Sequence, residues 1–271
     1  MKFFRGYKKY LQVFKITIRE YLVYRLNFLL WRFRAVVGIL VLYFLWQTAI
    51  PHGTTLFGYD QAKILTYILG TSIIRSIVLS SRSLDVAGQI ASGDLVNFLI
   101  KPISYIRYWF SKDLADKFLN ITFSFFEIIV LIFLLKPPFI IQTDIGLLAL
   151  TTVAVLIGMI LYFYISFFLS LIAFWSPENP WPVRFLFDIL VGFFAGGLFP
   201  LDILPKAIFD IFKILPFGYL LFFPLEIYLG NIDFSNIATG MIISLLWLFV
   251  ISQLTRLMFQ KGLRDYSAWG R

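Results

Sequence analysis

The sequence predicts an all-α membrane protein. Six transmembrane helices follow an N-terminal amphipathic interfacial helix, and a broken re-entrant extracellular segment precedes the last span. Three observations carry this expectation. The 271 residues are 60% hydrophobic and only 14% charged, against roughly 25% charged in soluble domains. The apolar residues fall in runs about as long as a bilayer-crossing helix, near 20 residues. Lys and Arg gather in alternate connections, the mark of a fixed orientation. The net charge of +9 sits beside apolar runs, so anionic lipid headgroups explain it better than nucleic acid does. The chain has no cysteine and one histidine, His52, which excludes disulfides, thiol chemistry and a multi-histidine metal site.

The elements follow in order. Residues 1–27 are basic, and Phe3, Tyr7, Tyr10, Leu11, Phe14, Ile18, Tyr21 and Leu22 recur on one helical face. That is the pattern of a helix lying in the membrane interface. No short apolar core with a small-residue cleavage site follows, as a signal peptide would need. Span 1 covers about 28–50, with Arg32 and Arg34 placed to snorkel to headgroups. Span 2 covers 60–80 and contains Arg75. Span 3 covers 109–135; its first turns carry Lys112, Asp113, Asp116 and Lys117. Span 4 covers 146–175 and ends in a proline-punctuated turn at 176–182. Span 5 covers 183–199 and span 6 covers 237–258.

Between spans 5 and 6, residues 200–230 are apolar but cut by Pro200, Pro205, Pro216 and Pro224 into pieces too short to cross a bilayer. Two half-helices that enter from outside and turn back fit this composition, as does a long interfacial loop. One side of the membrane collects the N-terminal helix, Arg82, Lys101, Arg107, Lys112, Lys117, Arg184, Arg256, Lys261, Arg264 and Arg271. The other collects Lys63, Lys136, Lys206 and Lys213. Both termini and the 81–104 loop are therefore expected in the cytoplasm.

That loop is the longest polar interval between apolar spans. It reads as two short amphipathic helices broken at Gly93. Leu84, Val86, Ala87, Ile90 and Ala91 supply the first apolar face; Leu95, Phe98 and Leu99 supply the second. Asp94 is placed to cap the second helix, and Lys101-Pro102 ends it. The whole piece suits a grip for a soluble partner.

Three charges fall inside spans: Arg75, Glu127 and Asp188. Such groups are costly in lipid and are candidates for function. An Arg75–Glu127 pair is open to consecutive antiparallel spans, either structural or gating, and Asp188 can pair with Arg184 one turn away. No P-loop, HExxH or GxSxG pattern occurs. Tyr59-Asp60 and Gly93-Asp94 are superficially like the motifs of intramembrane aspartyl proteases. Span 2 separates them by roughly 30 Å, too far to share a proton.

Three stretches, Ser92-Gly93-Asp94-Leu95, Leu99-Ile100-Lys101-Pro102-Ile103-Ser104 and 109–117, resemble the ABC-2 family membrane proteins, as does the ending Gly262-Leu263-Arg264-Asp265-Tyr266. The resemblance spans the whole chain as a single permease domain. It implies an exporter subunit whose loop carries a coupling helix near 84–94, with Leu84, Asp85, Ile90, Ser92, Gly93, Asp94 and Leu95 as ATPase-coupling residues. ATP and Mg would be bound and hydrolysed on a separate P-loop ATPase. A second permease, identical or related, would complete a dimer in the plasma membrane. A self-sufficient secondary transporter or channel is the alternative. It would be expected to show internal repeats and more midplane polar groups.

Overall fold

A computed structural model of the chain describes residues 2–23, 25–83, 85–178 and 180–266. Leu84 and the side chain of Arg184 lie outside the described residues. The helices are α1 (Lys2–Val23), α2 (Arg25–Ala49), α3 (Gln61–Val78), α4 (Asp85–Ala91), α5 (Val96–Leu99), α6 (Tyr105–Leu135), α7 (Ile145–Ser170), α8 (Pro180–Phe194), α9 (Lys206–Ile214), α10 (Phe222–Leu229) and α11 (Phe234–Asp265). Among the described residues the protein is all-α apart from one short hairpin, β1 (Thr55–Leu56) against β2 (Tyr59–Asp60), between α2 and α3. The end of the bundle that carries this hairpin is called the hairpin end; the end that carries residues 81–104 is the loop end.

Among the described residues, four helices are long and apolar enough to cross a membrane: Leu26–Ala49, Tyr105–Leu135, the α7 segment Ile145–Phe174, and α11. Helix α3 has 18 residues and α8 has 15. The expected fifth span was longer than α8, because the apolar run continues to Phe199. Gly196 stops the helix: it adopts a left-handed φ of 79°, and its carbonyl accepts the Tyr67 hydroxyl at 2.7 Å. A Cβ there would stand 2.6 Å from that hydroxyl, so only glycine fits.

Local chemistry sets the other boundaries. Asp60 caps α3 by accepting from Lys63 N at 2.7 Å, and Asp144 caps α7 by accepting from Gly146 N at 2.7 Å. Lys136 ends α6 in a left-handed turn, φ 46°, directly before Pro137-Pro138. In 200–230, Pro205 precedes α9, Pro216 opens a 3-10 turn at Phe217–Tyr219, and Pro224 sits in the first turn of α10, where no intrahelical donor is lost.

The central core joins α3, α7, α8 and α10 through Tyr67, Ile74, Val78, Leu161, Tyr162, Val191 and Leu225, among others. A second core at the loop end joins α4, α6, the end of α7 and α11. The outer faces of α2, α6 and α11 remain apolar and exposed, as with Phe33, Phe133 and Leu257. That is the surface a lipid environment requires of such helices.

Candidate functional site: the seat of the 81–104 loop

The loop folds as two short helices, α4 and α5, with Gly93 at the break in a left-handed conformation, φ 84°. Its turns close on backbone bonds from Ser92 N to Gly88 O (2.9 Å) and Leu95 N to Gln89 O (3.2 Å). Asp94 does not cap α5. Leu95 is the cap residue and makes no side-chain cap bond, while the Asp94 carboxylate accepts the Ser92 hydroxyl at 2.8 Å. The left-handed turn at Gly93 places Asp94 before the capping position, so its side chain turns back toward Ser92.

Burial divides the expected coupling set. Val86, Ile90 and Leu95 are fully or almost fully buried against Tyr105, Trp109, Phe163, Phe167 and Leu171. They anchor the loop. Asp85, Gly88, Ser92, Asp94 and Asn97 face outward, with Gly93 half-buried between them. Leu99 and Ile100 extend this exposed face; Ile100 is 77% exposed. The Tyr105 hydroxyl donates to Gln89 Oε1 at 2.9 Å, and its ring stacks on Phe259 of α11 (centroids 5.7 Å, 9° between planes). Gly262 lets α11 approach Phe174 closely, since a Cβ would stand 2.2 Å from that ring.

The charges of α6 hold this seat in place. Lys117, 2% exposed, donates to the carbonyls of Val78 (3.2 Å) and Ser80 at the end of α3 and pairs with Asp113 at 3.2 Å. A cation there meets the negative end of the α3 dipole and its unpaired carbonyls. Asp113, itself fully buried, accepts Arg82 N at 3.1 Å. Ser170 Oγ donates to Ser83 O at 2.9 Å from α7. Lys117 and its neighbours were read from the sequence as topological charges; they are the anchorage of the loop.

Helix α1 ties down both ends of the loop. Lys9 Nζ donates to Pro102 O (2.6 Å), and the Tyr10 hydroxyl accepts from Ser104 N (3.0 Å). One end further on, Glu20 pairs with Arg82 (3.5 Å) and Lys112 (3.8 Å), Arg82 lies 4.7 Å over the Tyr21 ring, and Tyr21 bonds Asp116. Tyr10, Phe14, Thr17 and Tyr21 face inward, whereas Tyr7 (59%) and Leu11 (54%) stay exposed. The apolar face expected of α1 is therefore split between protein and surroundings.

The expected Arg75–Glu127 pair does not form. Glu127 binds Arg32, not Arg75: Arg32 Nε donates to Glu127 Oε1 at 2.8 Å, a second nitrogen to Oε2, and a third to Asn120 Oδ1 at 3.3 Å. Arg32 is only 9% exposed, so it does not snorkel. The α6 residues Asp113, Asp116, Asn120, Ser124 and Glu127 recur at helical spacing, and this polar stripe is the signal that could have located the network. Arg75 instead reaches α8, where a Cβ at Gly192 or Gly197 would lie 3.6 or 2.6 Å from Arg75 Nη2. Asp188 lies on the exposed side of α8, and the Arg184 side chain expected to pair with it lies outside the described residues.

At the hairpin end a cluster appears that sequence reasoning did not single out. The Tyr59 hydroxyl lies 3.0 Å from both carboxylate oxygens of Asp202 and 2.9 Å from Glu226 Oε1. It joins the hairpin, the turn after α8, and α10. Burial lifts the Asp202 carboxyl above its ordinary range, partly offset by the Tyr59 bond, and lifts the Tyr59 phenol as well, with the Glu226 charge adding to it. No local pattern announces three residues so far apart in the chain.

A family model described as ABC-2 family transporter protein matches residues 36–270. No curated protein matches the chain.

Proposed function

The chain belongs to the ABC-2 transporter family, and we propose that it is the membrane-spanning permease subunit of an ATP-driven exporter. The observation that carries the mechanism is the division of the 81–104 loop into a buried, anchored face and an exposed face. Asp85, Ser92, Gly93 and Asp94 project from a seat that α1, α3, α6, α7 and α11 hold. A force applied to that face passes into five helices, because the seat is pinned by buried charge and apolar packing and has little freedom to yield. A partner P-loop ATPase docks there from the cytoplasm, with ATP and Mg bound and hydrolysed on that chain. This subunit supplies no catalytic group. A second permease, identical or related, completes the path, and both termini of this chain lie on the cytoplasmic side of the plasma membrane.

The coupling is tested with Asp94→Lys and Asn97→Lys, both exposed positions where a fold penalty within about 0.5 kcal/mol is expected. The tagged chain purified from native membranes brings the ATPase with it; the variants insert normally but lose ATP-driven transport. Full transport by both variants would remove the loop from the mechanism. Recovery of the chain alone after gentle crosslinking would favour a self-sufficient transporter. Leu95→Lys serves as the contrast, since it buries a charge and is expected to fail in folding rather than in coupling.

A further inference from the structure

Three separate elements meet on one hydroxyl at the hairpin end. Tyr59 belongs to β2, Asp202 to the 3-10 turn Leu201–Ile203 that follows the stop of α8, and Glu226 to α10. The Tyr59 hydroxyl stands 3.0 Å from each Asp202 oxygen and 2.9 Å from Glu226 Oε1. Tyr59 and Glu226 are each 2% exposed, whereas Asp202 opens to the surroundings. The phenol has one hydrogen to give. Given to Asp202, it leaves Glu226 facing a hydroxyl oxygen. A proton on Glu226 turns that contact into a second bond, from carboxyl to phenol. Without that proton, two carboxylates lean on one oxygen in a poorly solvated place, where like charges repel strongly.

We propose that Asp202 and Glu226 hold one proton between them through Tyr59, and that this proton latches α10 and the turn after α8 to the hairpin. The latch belongs to the chain itself. Its consequence, that acid on the exit side holds this end of the bundle shut, rests on the exporter reading. Glu226 is the holder because it is the buried carboxyl, and Asp202 is its route to the outside. Burial raises the Glu226 carboxyl and the Asp202 charge adds to it, against the Tyr59 and Asn231 bonds and the charge of Lys63 on α3. Tyr67, also on α3, senses both acids but gives its hydrogen to Gly196 O. Asp60, beside Tyr59, is spent on capping α3. A raised carboxyl keeps its proton below the raised value and loses it as pH rises through that value, so rising pH opens the latch. The segment it holds is lightly packed: Phe212 is the one buried residue of α9.

The chain has no cysteine, so Thr55→Cys with Ala207→Cys, both exposed positions, puts one spin label on the hairpin and one on α9. The full chain, with whatever ATPase copurifies, is placed in phosphatidylcholine nanodiscs, and the label distance is read by pulsed electron resonance. Each single-cysteine variant identifies distances between copies. Raising pH from about 5 to about 8 should move the population from a short to a longer distance, about tenfold in their ratio for each unit by which latching raises the carboxyl. Glu226→Gln should stay short throughout, since its amide donates to the phenol oxygen and cannot ionise. Tyr59→Phe should be spread at both values. Asp210→Asn, whose carboxylate is taken by Lys213 at 3.1 Å, should respond as the unaltered chain does. A distance that ignores pH, or a pH response that survives in Glu226→Gln, overturns the latch. If Glu226→Gln fails to fold, the exposed Asp202→Asn decides the matter, because an undiminished response there overturns it equally. A latch that responds in a chain bringing no ATPase counts against the exporter reading and leaves the latch standing.

Discussion

The two ends of the bundle solve the same problem with opposite chemistry. Each must pin a polar segment against apolar helices. At the loop end, cations and anions are matched: Lys117 with Asp113 and the α3 carbonyls, Arg82 with Glu20 and Asp85, Arg32 with Glu127. At the hairpin end, two carboxylates converge on one phenol. A single hydroxyl hydrogen cannot serve both at once, and burial favours the protonated form of the Asp202 carboxyl. The loop end is thus held mainly by paired opposite charges, and the hairpin end by carboxyls that share a hydroxyl. A fixed seat suits a segment that must carry force.

The largest effect is expected where matched charge is most buried. Lys117→Met leaves Asp113 fully buried without its cation and should cost about 3–5 kcal/mol, read as loss of folded protein by fluorescence-detected size exclusion. The double replacement Asp113→Leu with Lys117→Met should recover part of that loss, because removing both charges also removes their desolvation cost. No recovery would mean that the bonds to Arg82 and the α3 carbonyls, rather than the ion pair, hold the seat.

A smaller effect separates the observed pair from the expected one. A double-mutant cycle on Arg32→Gln and Glu127→Gln should give a coupling of about 0.5–3 kcal/mol in thermal stability. The same cycle on Arg75→Gln and Glu127→Gln should be additive to within about 0.5 kcal/mol. The reverse pattern would place Glu127 against α3 instead of α2.

The smallest effect tests the hairpin end. The folded Asp202 carboxyl titrates above its ordinary value, so its contribution is fully present below the ordinary carboxylate range. It is lost as pH rises through the raised value. Thermal stability of the purified chain should therefore fall as pH is raised across the weakly acidic range. Tyr59→Phe, which removes the shared hydroxyl, should cost about 1 kcal/mol and alter that dependence. A pH profile identical in Tyr59→Phe would detach the cluster from the titration.

Much of the fold was legible because its causes are local. Apolar run length placed α2, α6, α7 and α11; prolines cut 200–230 where the structure cuts it; Gly93 marked the loop break through a conformation glycine adopts without strain. The candidate site was legible only in outline. Amphipathic spacing picked out 81–104, but it could not show that Ile90 and Leu95 turn inward or that α1 straps both ends of the loop. The early stop of α8 escaped the hydropathy because it is set by the left-handed turn at Gly196, which Tyr67, 129 residues away in the chain, holds through its hydroxyl.

The sequence by itself determined that this is an all-α membrane protein, where prolines and Gly93 break its helices, and that polar groups recur along one face of α6. Those properties follow from side-chain transfer energies and backbone preferences that act over a few residues. Only the tertiary structure decided that Glu127 meets Arg32, that Arg75 reaches α8, and that Tyr59 gathers two acids. A buried charge must find some partner, but which partner depends on which helices are neighbours. That is settled by packing across the whole chain.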